Sequence, residues 1–275
     1  MNSTVDASSD IDKSSLDKWR QGDYTVDIKQ FLVVDSVEDG ELVPFGLDVP
    51  GFVVISQTCD IVNFGPGKEH VVVCPLREVT ESFLKEIQSG RTPVAAKLQH
   101  PPKANLVIDL NRMMTVPKSV LSTLKREVGF SDDAERNRFG EALARKHGRF
   151  AFPDDFNDEV LGAIRSKMQK WHDRDSDNGK ALRSIASIRA TAAPDWDAKV
   201  VEVGFRAILH PQDRRLVSNE KINDVLKSLF DGVLWPAKYN RASPLFIMQT
   251  LADLSAQDYV DSMPIDWDYL SSSSR

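Results

Sequence analysis

Cysteine is nearly absent from this sequence: Cys59 and Cys74 are the only two among 275 residues. A structural disulfide framework needs more, so both read as reduced thiols. No apolar run approaches the ~20 residues needed to span a bilayer. The polar, acidic start MNSTVDASSDIDKSS has neither the basic end nor the apolar centre of a signal peptide. A cytoplasmic location without a membrane partner is therefore expected. No Walker-type or dinucleotide glycine pattern occurs, and Gly65-Pro66-Gly67 is a plain turn. His70, His100, His147, His172 and His210 show no metal-ligand spacing with one another or with the cysteines. Neither a cofactor nor a metal is expected. A formal charge of -6 also excludes a general electrostatic attraction for nucleic acid.

What is present, 41% hydrophobic and 28% charged residues, is the composition of a globular protein able to bury a sizeable core. Residues 1–17 are rich in Ser and Asp and read as a mobile tail. From Tyr24 to Val34 apolar and polar residues alternate as in a strand, Glu38-Asp39-Gly40 forms a hairpin-like turn, and Pro44 to Gly51 reads as an irregular connection. Thr80 caps a short helix that Gly90 ends. Asn105 to Val116 reads as one strand, and Asp132 with Glu135 forms a capping box for a helix stopped by Gly148. This closes a first domain at 18–148.

The rhythm of 149–275 differs. A long helix starts at Pro153, Asp173 to Lys180 reads as a charged loop, and two strand runs follow, Leu182 to Ala192 and Lys199 to Leu209. An amphipathic helix carrying Ile222, Val225, Leu226, Leu229 and Phe230 precedes a last strand at Pro244 to Leu251. If Arg149 to Phe152 is also a strand, the order is βαββαβ, a ferredoxin-like plait. The apolar residues of Asp258 to Leu270 form a docking segment.

The stretch with most chemistry is Gly51 to Arg77, where two β-branched runs, Phe52 to Ile55 and Val71 to Cys74, flank a polar turn with Ser56, Gln57, Thr58, Cys59 and Asp60. Cys59 is either a nucleophile or redox thiol served by His70, or a small buried hydrophobe like Cys74. Thr58 and Asp60 either hold the turn through backbone hydrogen bonds or take part in proton transfer. A buried Gln57 amide needs either a polar network or a ligand. The locally basic run with Arg112, Lys118, Lys125 and Arg126 is either a phosphate-binding face or a set of solvated helix faces.

Taken in order, the first-domain landmarks resemble the PemK/MazF toxin group. They are the turn Gly22-Asp23 opening the first strand, Val53 to Ser56 with Asn63, Val71 to Pro75, and the late set Asp109, Arg112 and Thr115 to Lys118. The resemblance covers the first half of the chain and implies an SH3-like barrel. It also implies metal-free RNA cleavage, in which an Arg and a Thr or Ser serve the attack of a 2′-hydroxyl on the adjacent phosphate. Here the family's Arg-Pro pair is replaced by Val49, Pro50 and Gly51, and Leu76 stands where a hydroxyl residue follows Pro75. A rebuilt site would use Gln57, Thr58, Cys59, Asp60 and Arg77, with Arg77 on phosphate.

The expected architecture is thus α+β, an SH3-like β-barrel followed by a plait. The leading expectation for function is a toxin-like protein of a toxin–antitoxin or phage-defence module that contacts RNA or a protein partner, with altered endoribonuclease chemistry. The alternatives are a non-enzymatic assembly component whose SQTCD turn is structural, and a Cys-dependent hydrolase. A homo-oligomer stays open.

Overall fold

The computed structural model describes residues 12–90 and 92–265. The chain divides into two compact units that part between Gly148 and Arg149. Among the described residues no helix is long and apolar enough to cross a membrane.

The first unit opens with α1 (Lys13–Leu16), capped by the Asp12 carboxylate, so residues 12–17 are not a tail: Leu16 and Trp19 are fully buried in the core. The rest of the expected tail, 1–11, lies outside the described residues. Strand β1 (Tyr24–Thr25) is short. The hairpin β2 (Gln30–Glu38) and β3 (Glu41–Asp48) turns at Asp39 and Gly40, both at positive φ, 49° and 83°. The expected irregular connection from Pro44 is therefore largely strand. Pro44 and Gly46 weaken strand propensity, but the tight turn and the pairing with β2 override it.

Strand β4 (Phe52–Val54) leads into α2 (Thr58–Val62), and β5 (His70–Glu78) returns beside β4 with Val53 opposite Cys74. After α3 (Glu81–Gln88) come β6 (Ala95–Lys97), β7 (Leu106–Asp109), β8 (Met114–Pro117), α4 (Lys118–Leu121) and α5 (Asp133–His147). The single strand expected over Asn105 to Val116 is broken at Leu110–Met113. The two pieces pair with different halves of β5: β8 with His70–Val73, and β7 with Leu76–Glu78. The sheet path β1-β4-β5-β7-β6 keeps two ends, so no closed barrel forms among the described residues.

In the second unit, one turn of π-helix at Phe156–Leu161 runs into α6 (Gly162–His172). The second half of the expected charged loop, from Asp177 on, is α7 (Asp177–Arg183), capped by Ser176 through the Gly179 N–H. Then follow β9 (Ile185–Ala193), β10 (Val201–Leu209), α8 (Asn219–Phe230), β11 (Tyr239–Thr250), α9 (Ala256–Val260) and β12 (Met263–Pro264). The sheet order is β11-β10-β9-β12, with β10 and β11 parallel across the α8 crossover. The plait is not formed as expected. Phe150 and Phe152 make no strand but pack edge to face in a cluster with Trp196 and Phe156, and β12 takes the edge beside β9. The described part of the expected docking segment thus docks on the protein's own sheet; Trp267, Tyr269 and Leu270 lie outside the described residues.

One core joins α6, α7 and α8 to a single face of this sheet. The opposite face carries paired Arg189 and Arg206, which fasten α9: Arg189 Nη2 donates to Tyr259 O at 2.7 Å and Arg206 Nη2 to Asp258 Oδ1 at 2.6 Å.

Candidate functional site: a two-arginine cleft

Side chains on β5 alternate, so Val71 and Val73 enter one core while Cys74 and Leu76 enter another. Arg77, on the same face as Val71 and Val73, has passed beyond the core. It lies opposite Val107 on β7, and Asp109, two residues further, points the same way. This register places the buried Asp109 carboxylate 3.7 Å from Arg77 Nε. Arg112, three residues beyond Asp109, closes the group: its Nη1 donates to Asp109 Oδ2 at 2.6 Å. The other oxygen, Oδ1, accepts from the Asn111 N–H at 3.0 Å. Phe83 of α3 supplies a ring 5.0 Å from the Arg77 guanidinium.

The two arginines line a cleft of about 310 Å³ whose walls are Leu47–Pro50, Pro75–Glu78, Asp109 and Arg112. Formally Asp48 and Asp109 balance the two guanidinium charges, and Glu78 is taken by Lys103 at 2.6 Å. Donors are nevertheless in excess. Each guanidinium presents five N–H groups in a planar fork. The Arg112 Nη1 bond to Asp109 is the sole protein hydrogen bond of these two guanidinium groups among the described residues, and Arg77 Nε, though buried, has none. What the cleft can do chemically is bind a planar or tetrahedral oxyanion through two forks. Asp109 also acts at a distance on Cys74, whose thiol is pushed up to about 12, first by burial and then by that carboxylate.

The residues of the SQTCD stretch gather elsewhere. Its turn is the helix α2, and Ser56 Oγ accepts from the Val72 N–H at 2.8 Å. Val72 and Arg77 are five residues apart on one strand, ~16 Å at about 3.3 Å per residue. Thr58 Oγ1 accepts from the Gln21 N–H at 3.1 Å and lines a separate groove of about 640 Å³ with Gln21 and the α5 residues Asp133, Arg136, Asn137, Gly140 and Glu141. Gln57 is exposed, not buried, so it needs no polar network. Cys59 is exposed too and donates only to Gln57 Oε1, at 3.6 Å. Both differ from the buried reading because α2 turns them outward while Ile61 alone faces the core. His70 opens β5 opposite Pro117. The five expected catalytic residues are thus divided: Arg77 lines the two-arginine cleft, Thr58 alone of them lines the groove beside α5, and Gln57, Cys59 and Asp60 are exposed on or beside α2.

Of the four residues expected to meet nucleic acid, only Arg112 reaches the cleft. Lys118 is fully buried: its Nζ donates to Asp60 O and Asn63 O, both at 2.6 Å, and lies 5.1 Å from the Phe64 ring. Its aliphatic stem follows the apolar side of β8 inward, so its charge caps the end of α2. Arg126 Nη1 donates to Asp23 Oδ2 at 2.8 Å and to Lys18 O at 2.7 Å. Burial raises the pKa of Asp23, against the opposing effects of the Arg20 N–H and Arg126. Lys125 is exposed and paired with Glu127 at 2.6 Å. Asp109, the residue that organises the cleft, stood in the sequence only as a landmark of the family resemblance beside Arg112; its i,i+3 spacing to Arg112 is the signal that could have marked it as that residue's ion-pair partner.

Set against protein-family models and curated proteins, the sequence matches none.

Proposed function

We propose that the first unit is an SH3-like module related to the PemK/MazF group that binds RNA through the cleft of Arg77 and Arg112 and does not cut it by that group's chemistry. The observation that carries this reading is the lining of the cleft. Val49, Pro50 and Leu76, the positions at which the resemblance leads one to expect the arginine and the hydroxyl, form its walls, and two guanidinium forks with free donors line it beside them. Phosphate-binding groups are thus kept where the attacking chemistry is missing. The ties of Ser56, Thr58 and the Asp60 carbonyl to neighbouring backbone and to Lys118 favour a structural role for the SQTCD segment. The same resemblance makes a toxin–antitoxin or phage-defence module the setting. Asp48 and the net charge of -6 keep the affinity modest and salt-sensitive.

The test is fluorescence anisotropy with a labelled single-stranded RNA at several salt concentrations, beside a cleavage assay on a broad RNA pool. Arg112→Gln and Arg77→Ala, checked for folding, each lower the affinity, and each lowers the salt slope by about 0.7 for a single-strand phosphate contact. Cleavage by the wild type that Arg77→Ala or Asp60→Ala abolishes would refute the non-cutting reading. Binding unchanged in both arginine variants would remove the cleft from the function.

A further inference from the structure

We infer that the outer face of the β2–β3 hairpin is a docking surface for a basic amphipathic helix of a partner protein. The register decides which residues share that face. Leu32 lies opposite Gly46 and Val34 opposite Pro44; the bulge between Val34 and Ser36 then returns Val37 to the same side, opposite Leu42. Phe31, Val33 and Leu47, on the other side, pack into the first-unit core. The outward side chains are left open: Leu32, Val34, Val37 and Leu42 are 60%, 56%, 63% and 67% exposed. With Pro44 they form an apolar surface on the order of 400 Å², the size of a typical monomer's largest patch, which is often functional.

Three features choose the occupant. The hairpin is a sheet of its own with two free edges, but β2 carries the bulge and β3 carries Pro44, which has no N–H to donate. Strand addition is opposed at both edges, so the face is what remains to be covered. Around its distal end stand Asp35, Glu38, Asp39 and Glu41, all exposed and without an ion-pair partner among the described residues. An apolar strip rimmed by unpaired carboxylates complements a helix with an apolar stripe and Lys or Arg flanks. The same carboxylates oppose an anionic membrane, RNA and a second copy seated tip to tip.

The probe is a synthetic helical peptide with a leucine stripe and lysine flanks, titrated onto the whole protein by calorimetry beside a peptide with the same stripe and glutamate flanks. The lysine peptide binds saturably and the glutamate peptide at least about tenfold more weakly, a difference that shrinks in high salt. Leu32→Ser with Leu42→Ser, both at exposed positions, lowers lysine-peptide affinity about tenfold, and Glu38→Lys with Glu41→Lys removes the preference between peptides. Equal binding of both peptides, or binding indifferent to the leucine pair, overturns the inference. So does a light-scattering dimer that the leucine variants convert to monomer, since a second copy would then cover the face, and so does flotation with phosphatidylserine vesicles lost in the same variants.

Discussion

A lysine ammonium removed from water must find acceptors within its own reach, and Lys118 finds two main-chain carbonyls at the end of a five-residue helix. Such a helix is too short to be stable by itself, so its position depends on what holds its ends. Lys118→Met keeps the unbranched apolar stem without the ammonium and deletes both charged hydrogen bonds. It should lower stability by about 3 kcal/mol in urea unfolding and loosen the SQTCD segment. The pH dependence follows from burial, which lowers the lysine's pKa although Asp60 and Glu69 oppose it. Between the lowered value and the ordinary lysine value of 10.5 the unfolded chain binds more protons, so wild-type stability relative to Lys118→Met rises as pH climbs through this window and then levels. An unchanged gap from pH 7 to 11 would show that the ammonium is not desolvated. The family resemblance set Lys118 apart from Lys125 and Arg126, but nothing in the sequence said that it turns inward, because a basic residue after a strand looks the same whether it turns in or out. Asp109 was equally hidden as an organiser: its two arginines are 35 residues apart in sequence and meet only through the β5–β7 register.

Elements with a strong period were legible. The apolar stripe of α8 and the strand runs of β9 and β10 are set by side chains that all enter one core. Elements defined by a partner were not: β3 contains Pro44 and Gly46 and is a strand because β2 lies beside it, and α7 is a charged segment whose Ala181 and Leu182 are buried. Close approach between strands is likewise invisible until the pairing is known. At Gly51 a Cβ would stand 2.1 Å from the Thr25 carbonyl oxygen, a main-chain atom that cannot move without opening the pairing of β1 with β4. Gly51→Ala should therefore cost about 2–3 kcal/mol, as overpacking against a fixed neighbour does. The loss should appear in hydrogen exchange as faster exchange of the Gly22 and Val54 amides, which bond across this junction to Val54 O and Asp23 O. Exchange unchanged at both amides would mean that the backbone absorbs the methyl group locally.

On the scale of the whole molecule, each unit carries a core drawn from its own residues. The three first-unit clusters end at Leu143, and the second-unit cluster with its packed neighbours begins at Phe152. The second unit also closes its own sheet: α9 and β12 return to β9 through Arg189, which donates to Ser262 Oγ at 2.8 Å and stacks 4.1 Å from the Tyr259 ring. A chain that buries 23 side chains in one cluster has what it needs for cooperative folding without the first half. The fragment 149–275 should then show a single sigmoidal urea transition by circular dichroism, and its amide spectrum should overlay on that of the full protein for the β9, β10 and α8 residues. Truncation before β12, at Asp261, should destabilise the fragment, because it strips the edge of β9 and leaves the buried Arg189 guanidinium without the Ser262 partners. A fragment 149–275 that unfolds without a transition would tie its stability to the first unit, and the cleft of Arg77 and Arg112 could then not be studied apart from the rest of the chain.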